Sequence, residues 1–147
     1  MQPFKFILAL AILAILAYGV YAYWQSSNVP KTIDIGSAVS FKSIPATECT
    51  LKNDAGTITG TLYVFHDAAR FDITSVVNGA PISVHVINSN EDLSYYWVDG
   101  QKQGSKGDYG PVYQTVGLGV LTQINCGSWW LPNGVLFIVP ADVSFAQ

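Results

Sequence analysis

The stretch "ARFDITSVVNGAPISVHVI", residues 69 to 87, decides how this chain folds. Apolar and polar side chains alternate on both sides of Asn78-Gly79, and a period of two marks a strand with one buried face. Asn-Gly is a strong hairpin signal, because both central residues of a type I′ turn need positive φ. A two-residue loop there pairs Val77 with Ala80, so Ile73 meets Val84, Phe71 meets Val86 and Asp72 meets His85.

The same pattern extends outward from this hairpin. It predicts strands at residues 48–52, 57–66, 69–77, 80–88, 93–98 and 101–106, separated by turns at Asn53 to Gly56, Asp67-Ala68, Ser89 to Asp92 and Asp99-Gly100. A two-residue loop at Asp67-Ala68 sets Leu62 beside Ile73 and Val64 beside Phe71. A four-residue loop at Ser89 to Asp92 sets Val86 beside Tyr95 and Val84 beside Trp97. Phe71, Val84, Val86, Tyr95 and Trp97 then share one apolar face, the candidate ligand-binding surface. Tyr63, Asp72, His85 and Tyr96 form a polar row on the other face, flanked by Thr61, Thr74, Ser83 and Ser94.

An imidazole opposite a carboxylate is held in one tautomer with its pKa biased upward, an arrangement general bases use. Cross-strand pairs of opposite charge also simply stabilise sheets, by about 0.2–1 kcal/mol each. Nothing in the sequence adds an activated nucleophile or an oxyanion hole, so the chain reads as non-enzymatic, with no catalytic residues and no cofactor. His66 and His85 fall on opposite strand parities and do not converge on a metal. Asp54, Asp67, Glu91, Asp92, Asp99 and Asp108 sit in turns, where Asp and Glu serve the local backbone, and none has calcium-loop spacing.

Away from the meander, the chain opens with Phe6 to Trp24, nineteen residues without a charge. A run of about 20 apolar residues crosses a bilayer as a helix. Lys5 marks the cytoplasmic side, while Tyr18, Tyr21, Tyr23 and Trp24 suit the outer interface. Residues 1–24 therefore read as a signal anchor or transmembrane helix, residues 25–46 as a tether with a short helical turn near residues 38–43, and residues 47–147 as an exported β domain. The alternative is a signal peptide cleaved near Ala22, which leaves a secreted domain. Export gives the chain's two cysteines a meaning, because an oxidising compartment permits a Cys49–Cys126 bridge.

Seven basic and ten acidic residues leave a net charge of −3, a poor match to the phosphates of nucleic acid. The expected partners are the membrane, through the N-terminal helix, and a lipid or another envelope protein. Beyond Gly107, "DYGPVYQTVGLGVLTQ" carries too much Gly and Val to read as a helix. "VLTQINCGSWW", residues 120–130, ends as a strand bearing Cys126, and its Trp129 and Trp130 either cover an open edge of the apolar face, the favoured role, or project outward as a ligand-contacting pair. The tail "VLFIVPADVSFAQ" offers a last apolar strand broken by Pro140.

The motifs "CTL", "GTLYVF", "ARFDITSVVNG", "SVHVI", "YYWVDGQKQGSK", "CGSW" and "VPADVSF" run from Cys49 to Phe145. Through them the chain resembles a group of short, membrane-anchored bacterial envelope proteins of uncharacterised activity. At the level of fold the meander is similar to the half-barrels of periplasmic lipoprotein carriers and related lipid-binding envelope proteins, whose curved sheet shelters acyl chains. That resemblance implies a mainly β domain, a curved antiparallel half-barrel that binds a lipid or acyl chain on its concave face. Two further readings stay open, a two-sheet sandwich for the fold and a structural or protein-interaction module with a filled core for the function.

Overall fold

A computed structural model describes residues 2–89 and 93–146. Its backbone follows the alternating pattern through five strands: β1 (Thr47–Lys52), β2 (Ile58–Phe65), β3 (Ala68–Val77), β4 (Ala80–Asn88) and β5 (Leu93–Val98). Three more follow, β6 (Gln103–Asp108), β7 (Gln123–Ser128) and β8 (Ser144–Ala146). All eight belong to one open mixed sheet in the order β7-β1-β2-β3-β4-β5-β6-β8, so there is no two-sheet sandwich among the described residues. Neighbours are antiparallel except β6 and β8.

The Asn78-Gly79 turn has φ of 51° and 80°, as type I′ requires, and it sets Ile73 opposite Val84 and Asp72 opposite His85. The next turn corrects the expected register. His66 and Asp67, not Asp67 and Ala68, take the positive φ values of 51° and 64°. Asp tolerates the left-handed region where Ala is strained, so the turn moves back by one residue. Leu62 then faces Phe71, and Tyr63 faces Arg70 instead of Asp72. A shift of two residues keeps every side chain on its own face.

The third turn changes faces. Val86 pairs with Tyr96, and His85 with Trp97, one residue away from the expected pairing. Asn88 pairs with Ser94, which leaves five residues between them instead of four, and within that reversal the Ser89 amide donates to the Leu93 carbonyl (2.9 Å); Asn90, Glu91 and Asp92 lie outside the described residues. A slip of one inverts the strand, so Tyr96 turns to the inner face while Tyr95 and Trp97 turn to the outer. At Asp99-Gly100 only Gly100 has positive φ, 78°, so no type I′ turn forms. The strand resumes at Gln103, beyond the expected start at residue 101.

The inner face is packed by segments from both sides of the meander. Phe41, Phe71, Leu51, Leu62, Val64 and Val86 are fully buried. The Phe41 ring sits edge-on to Phe71 and Tyr109, at 5.9 Å and 5.6 Å between centroids. The segment read as a tether thus supplies core: Ile33, Ile35 and Phe41 all pack there, and residues 38–41 form the expected short helical turn, a 3-10 turn.

A further correction concerns Tyr109–Val116, which form helix α2. Its Gly110 and valines disfavour a helix locally. Tyr109, Val112, Tyr113 and Val116, however, recur at i, i+3, i+4 and i+7, and that stripe packs onto the core. Pro111 lies in the first turn, where its missing N–H costs nothing, and Gly117 closes the helix at φ 72°, donating to the Gln114 and Tyr113 carbonyls.

Cys49 and Cys126 sit directly opposite on β1 and β7 and are bonded, with sulfurs on the inner face. At the other end of the chain, the apolar tail is a 3-10 turn, Gly134–Phe137, and only Ser144–Ala146 joins the sheet. The first helix, α1, runs Gln2–Ser27. Leu10, Leu13, Leu16 and Val20 stand exposed along it, whereas Ala22 is buried. Among the described residues no helix is long and apolar enough to cross a membrane.

Candidate functional site

The outer face of the sheet concentrates the polar chemistry. Arg70, Asp72, His85, Trp97 and Asp99 fall on it because each follows the alternation of its strand in the observed register. Asp99 continues the β4–β5 ladder past the end of β5, its amide donating to the Ser83 carbonyl (3.0 Å). That extension brings its carboxylate over His85.

His85 Nδ1 lies 2.6 Å from Asp72 Oδ1, and Nε2 lies 3.0 Å from Asp99 Oδ1. Neutral imidazole has one N–H and can donate to only one of them, so two carboxylates favour the doubly protonated ring. The hydrogen bond to Asp72 raises the His85 pKa above its ordinary 6.5; partial burial opposes it, and Asp99 adds to the rise. Arg70 Nε donates to the same Asp72 oxygen at 2.8 Å, and Nη1 donates to the Leu136 carbonyl at 2.5 Å. Burial pushes the Asp72 carboxyl up, yet the hydrogen bonds from His85 and Arg70 together outweigh it and leave the group below its ordinary value.

With His85 protonated, two cations and two carboxylates balance in this node, and Arg70 and His85 are each only 15% exposed at the side chain. Trp97 closes one side: its ring stacks on His85 (5.2 Å, 25°) and lies under the Arg70 guanidinium (5.9 Å). Phe145 packs edge-on to both Tyr95 and Trp97. It reaches them over Gly104, where any Cβ would stand 2.6 Å from the Phe145 ring. A second aromatic group, Tyr63, Phe65, Trp129 and Phe137, covers the β2 side of the same face. Burial, with help from the Glu48 and Asp72 charges, raises the Tyr63 phenol.

The expected site residues are thus divided between the two faces. Asp72 and His85 meet as expected. Tyr63 stands two residues away from the expected pairing, across from Arg70, while Tyr96 and Ser94 lie on the inner face, with Ser94 donating to Asn88 Oδ1 (3.0 Å). Of the apolar candidates, Phe71 and Val86 are fully buried beneath the inner packing and Val84 shares that face, whereas Tyr95 and Trp97 lie outside. Trp129 is half-buried against Tyr63, but Trp130 projects into solvent. Two members of the node escaped the sequence reading. Arg70 was recoverable, since it shares the parity of Asp72. Asp99 was not, because its face depends on the β4–β5 register.

Chemically the node is closed upon itself. Both imidazole nitrogens are engaged by carboxylates, and among the described residues no hydroxyl or thiol is hydrogen-bonded to the ring as a nucleophile. No group of three His, Cys, Asp or Glu among the described residues is arranged to hold a metal ion. Beside the node, a shallow apolar groove of about 320 Å³ runs between the sheet and the C-terminal segment, lined by Phe65, Ile87, Tyr95, Phe137 and Val139 among others. No family model, curated protein or solved structure matches this chain.

Proposed function

We propose that this chain is a non-enzymatic cell-envelope protein, a structural or protein-interaction module held in a membrane by α1 with its sheet on the extracytoplasmic side. One observation carries this reading over the apolar-ligand one: Phe41 and Tyr109, 0% and 3% exposed, fill the inner face where an acyl chain would have to lie. In this reading the sheet is an open half-barrel whose inside is occupied by its own chain. The outer face and the sheet edges are left to meet partners. The uncharged run from Phe6 to Trp24 supports the anchor, and the Cys49–Cys126 bonding suits an oxidising compartment. The resemblance to short anchored envelope proteins belongs to the same reading.

A second reading keeps the apolar ligand but moves it outside. The groove of about 320 Å³ sits at the lower bound for small-molecule sites, and its walls are mostly apolar, with His66 and Ser89 as the polar exceptions. Native mass spectrometry of the full chain, taken from its own membranes in mild detergent, separates the two. The packed-core reading expects the bare mass of the chain or of a protein complex. One lipid retained per chain, and lost on Ile87→Asp, would establish the groove as a binding site instead.

A further inference from the structure

The membrane-facing end of the domain follows from where α1 meets it. Tyr21 lines a cavity together with Ser43, Pro45, His66 and Pro132. The starts of β1, β3 and β5 and the ends of β2, β4 and β7 all lie at this end of the sheet, because Thr47 pairs with both Val64 and Ser128, and Ala69 with Asn88. The Asn78-Gly79 and Asp99-Gly100 turns lie at the opposite end.

On the α1 end the chain exposes large apolar side chains that its own packing does not use. Leu131, next to Pro132, is 86% exposed, with Val135 at 67%, Ile138 at 63% and Trp130 at 56%. The surrounding sequence suits an apolar medium, for no charged side chain occurs between Asp108 and Asp142. Soluble surfaces rarely gather such residues without a partner, and Trp is enriched where lipid meets water.

We propose that residues 130–138 form a second membrane contact, an interfacial loop whose Trp130, Leu131, Val135 and Ile138 enter the headgroup boundary of the bilayer that holds α1. This rests on the reading of α1 as an anchor. The occupant is lipid because the patch adjoins Tyr21, at the aromatic end of α1, and because it lacks the charges that would pair with a protein rim. Held at two points, the domain loses its freedom to tumble about the anchor and presents the Asn78-Gly79 end away from the membrane.

The test uses the full chain in phosphatidylcholine vesicles, with single cysteines introduced at Leu131→Cys, Leu16→Cys and Val77→Cys. An environment-sensitive fluorophore is attached under non-reducing conditions, so the bonded pair is spared. Nitroxide-bearing lipids should quench the labels at positions 16 and 131, the latter most by a nitroxide near the headgroup, and leave position 77 bright. Quenching at 16 with position 131 behaving like 77 overturns the interfacial loop and leaves the anchor standing. A blue-shifted label at 131 that nitroxide lipid does not quench also overturns it, and assigns the patch to a second copy or a protein. No quenching at 16, with a chain that does not float with vesicles, removes the anchor itself.

Discussion

The two faces of the sheet are built from the same strands, yet they are stabilised in opposite ways. The inner face is dry and is closed by residues far apart in sequence, Phe41 ahead of the meander and Tyr109 and Val112 after it. The outer face keeps its charges partly wet and satisfies them with one another, in the node of Arg70, Asp72, His85 and Asp99. Burial there gives mostly shape, while here hydrogen bonds between charged groups give order. Stability should therefore reside inside and pH response outside.

The largest losses are expected from substitutions on the inside. Phe41→Ala removes a fully buried ring and should cost about 3–5 kcal/mol, read as a lower urea midpoint at unchanged slope. A cost below about 1 kcal/mol would mean that the inner face is loosely filled. Replacing Cys49 and Cys126 together by Ala frees a loop with a sequence separation of 77 and should cost roughly 2–5 kcal/mol, seen in the same titration.

Changes outside should be smaller. Asp72→Asn removes the negative charge that Arg70 and His85 share while leaving one acceptor oxygen, and a loss of about 1–3 kcal/mol is expected. His85→Gln should cost less still, and its main effect should be on pH dependence. Because the His85 pKa is raised on folding, its contribution is complete below the ordinary 6.5 and is lost as pH rises through the folded value. Asp72 is depressed, so its contribution is present above its ordinary 3.8 and fades as pH falls through the folded value. Melting temperature followed from pH 5 to 9 should therefore decline for the native chain through the upper window and flatten in His85→Gln. Equal slopes in both would detach the node from stability. At the exposed far end, Val76→Thr should change stability by no more than about 0.5 kcal/mol.

Much of the fold could be read along the chain, and the failures are local and physical. The hairpin from residues 69 to 87 was readable to the residue because Asn78-Gly79 admits one turn type. His66 entering the left-handed region moved the next pairing by two, which no pattern of polarity opposes, since parity survives. The longer reversal after Asn88 moved β5 by one, and that exchanged Tyr96 for Tyr95 and Trp97 between the faces. The triplet Tyr95-Tyr96-Trp97 is apolar throughout, so alternation gave no preference for either setting. Helix α2 was hidden by poor local propensity, although its i, i+3, i+4, i+7 stripe was present in plain order.

Short-range patterning along the chain was enough for the strands of the meander, the Asn78-Gly79 turn, the Asp72–His85 pairing and the uncharged N-terminal run, because each depends on contacts or periodicities spanning a few residues. Only the tertiary structure decided which face each residue of β5 occupies, that Asp99 completes the node, and that Phe41 and α2 fill the inside. Those outcomes depend on packing between segments separated by tens of residues, where the free energy belongs to the assembled surface and not to any stretch of chain.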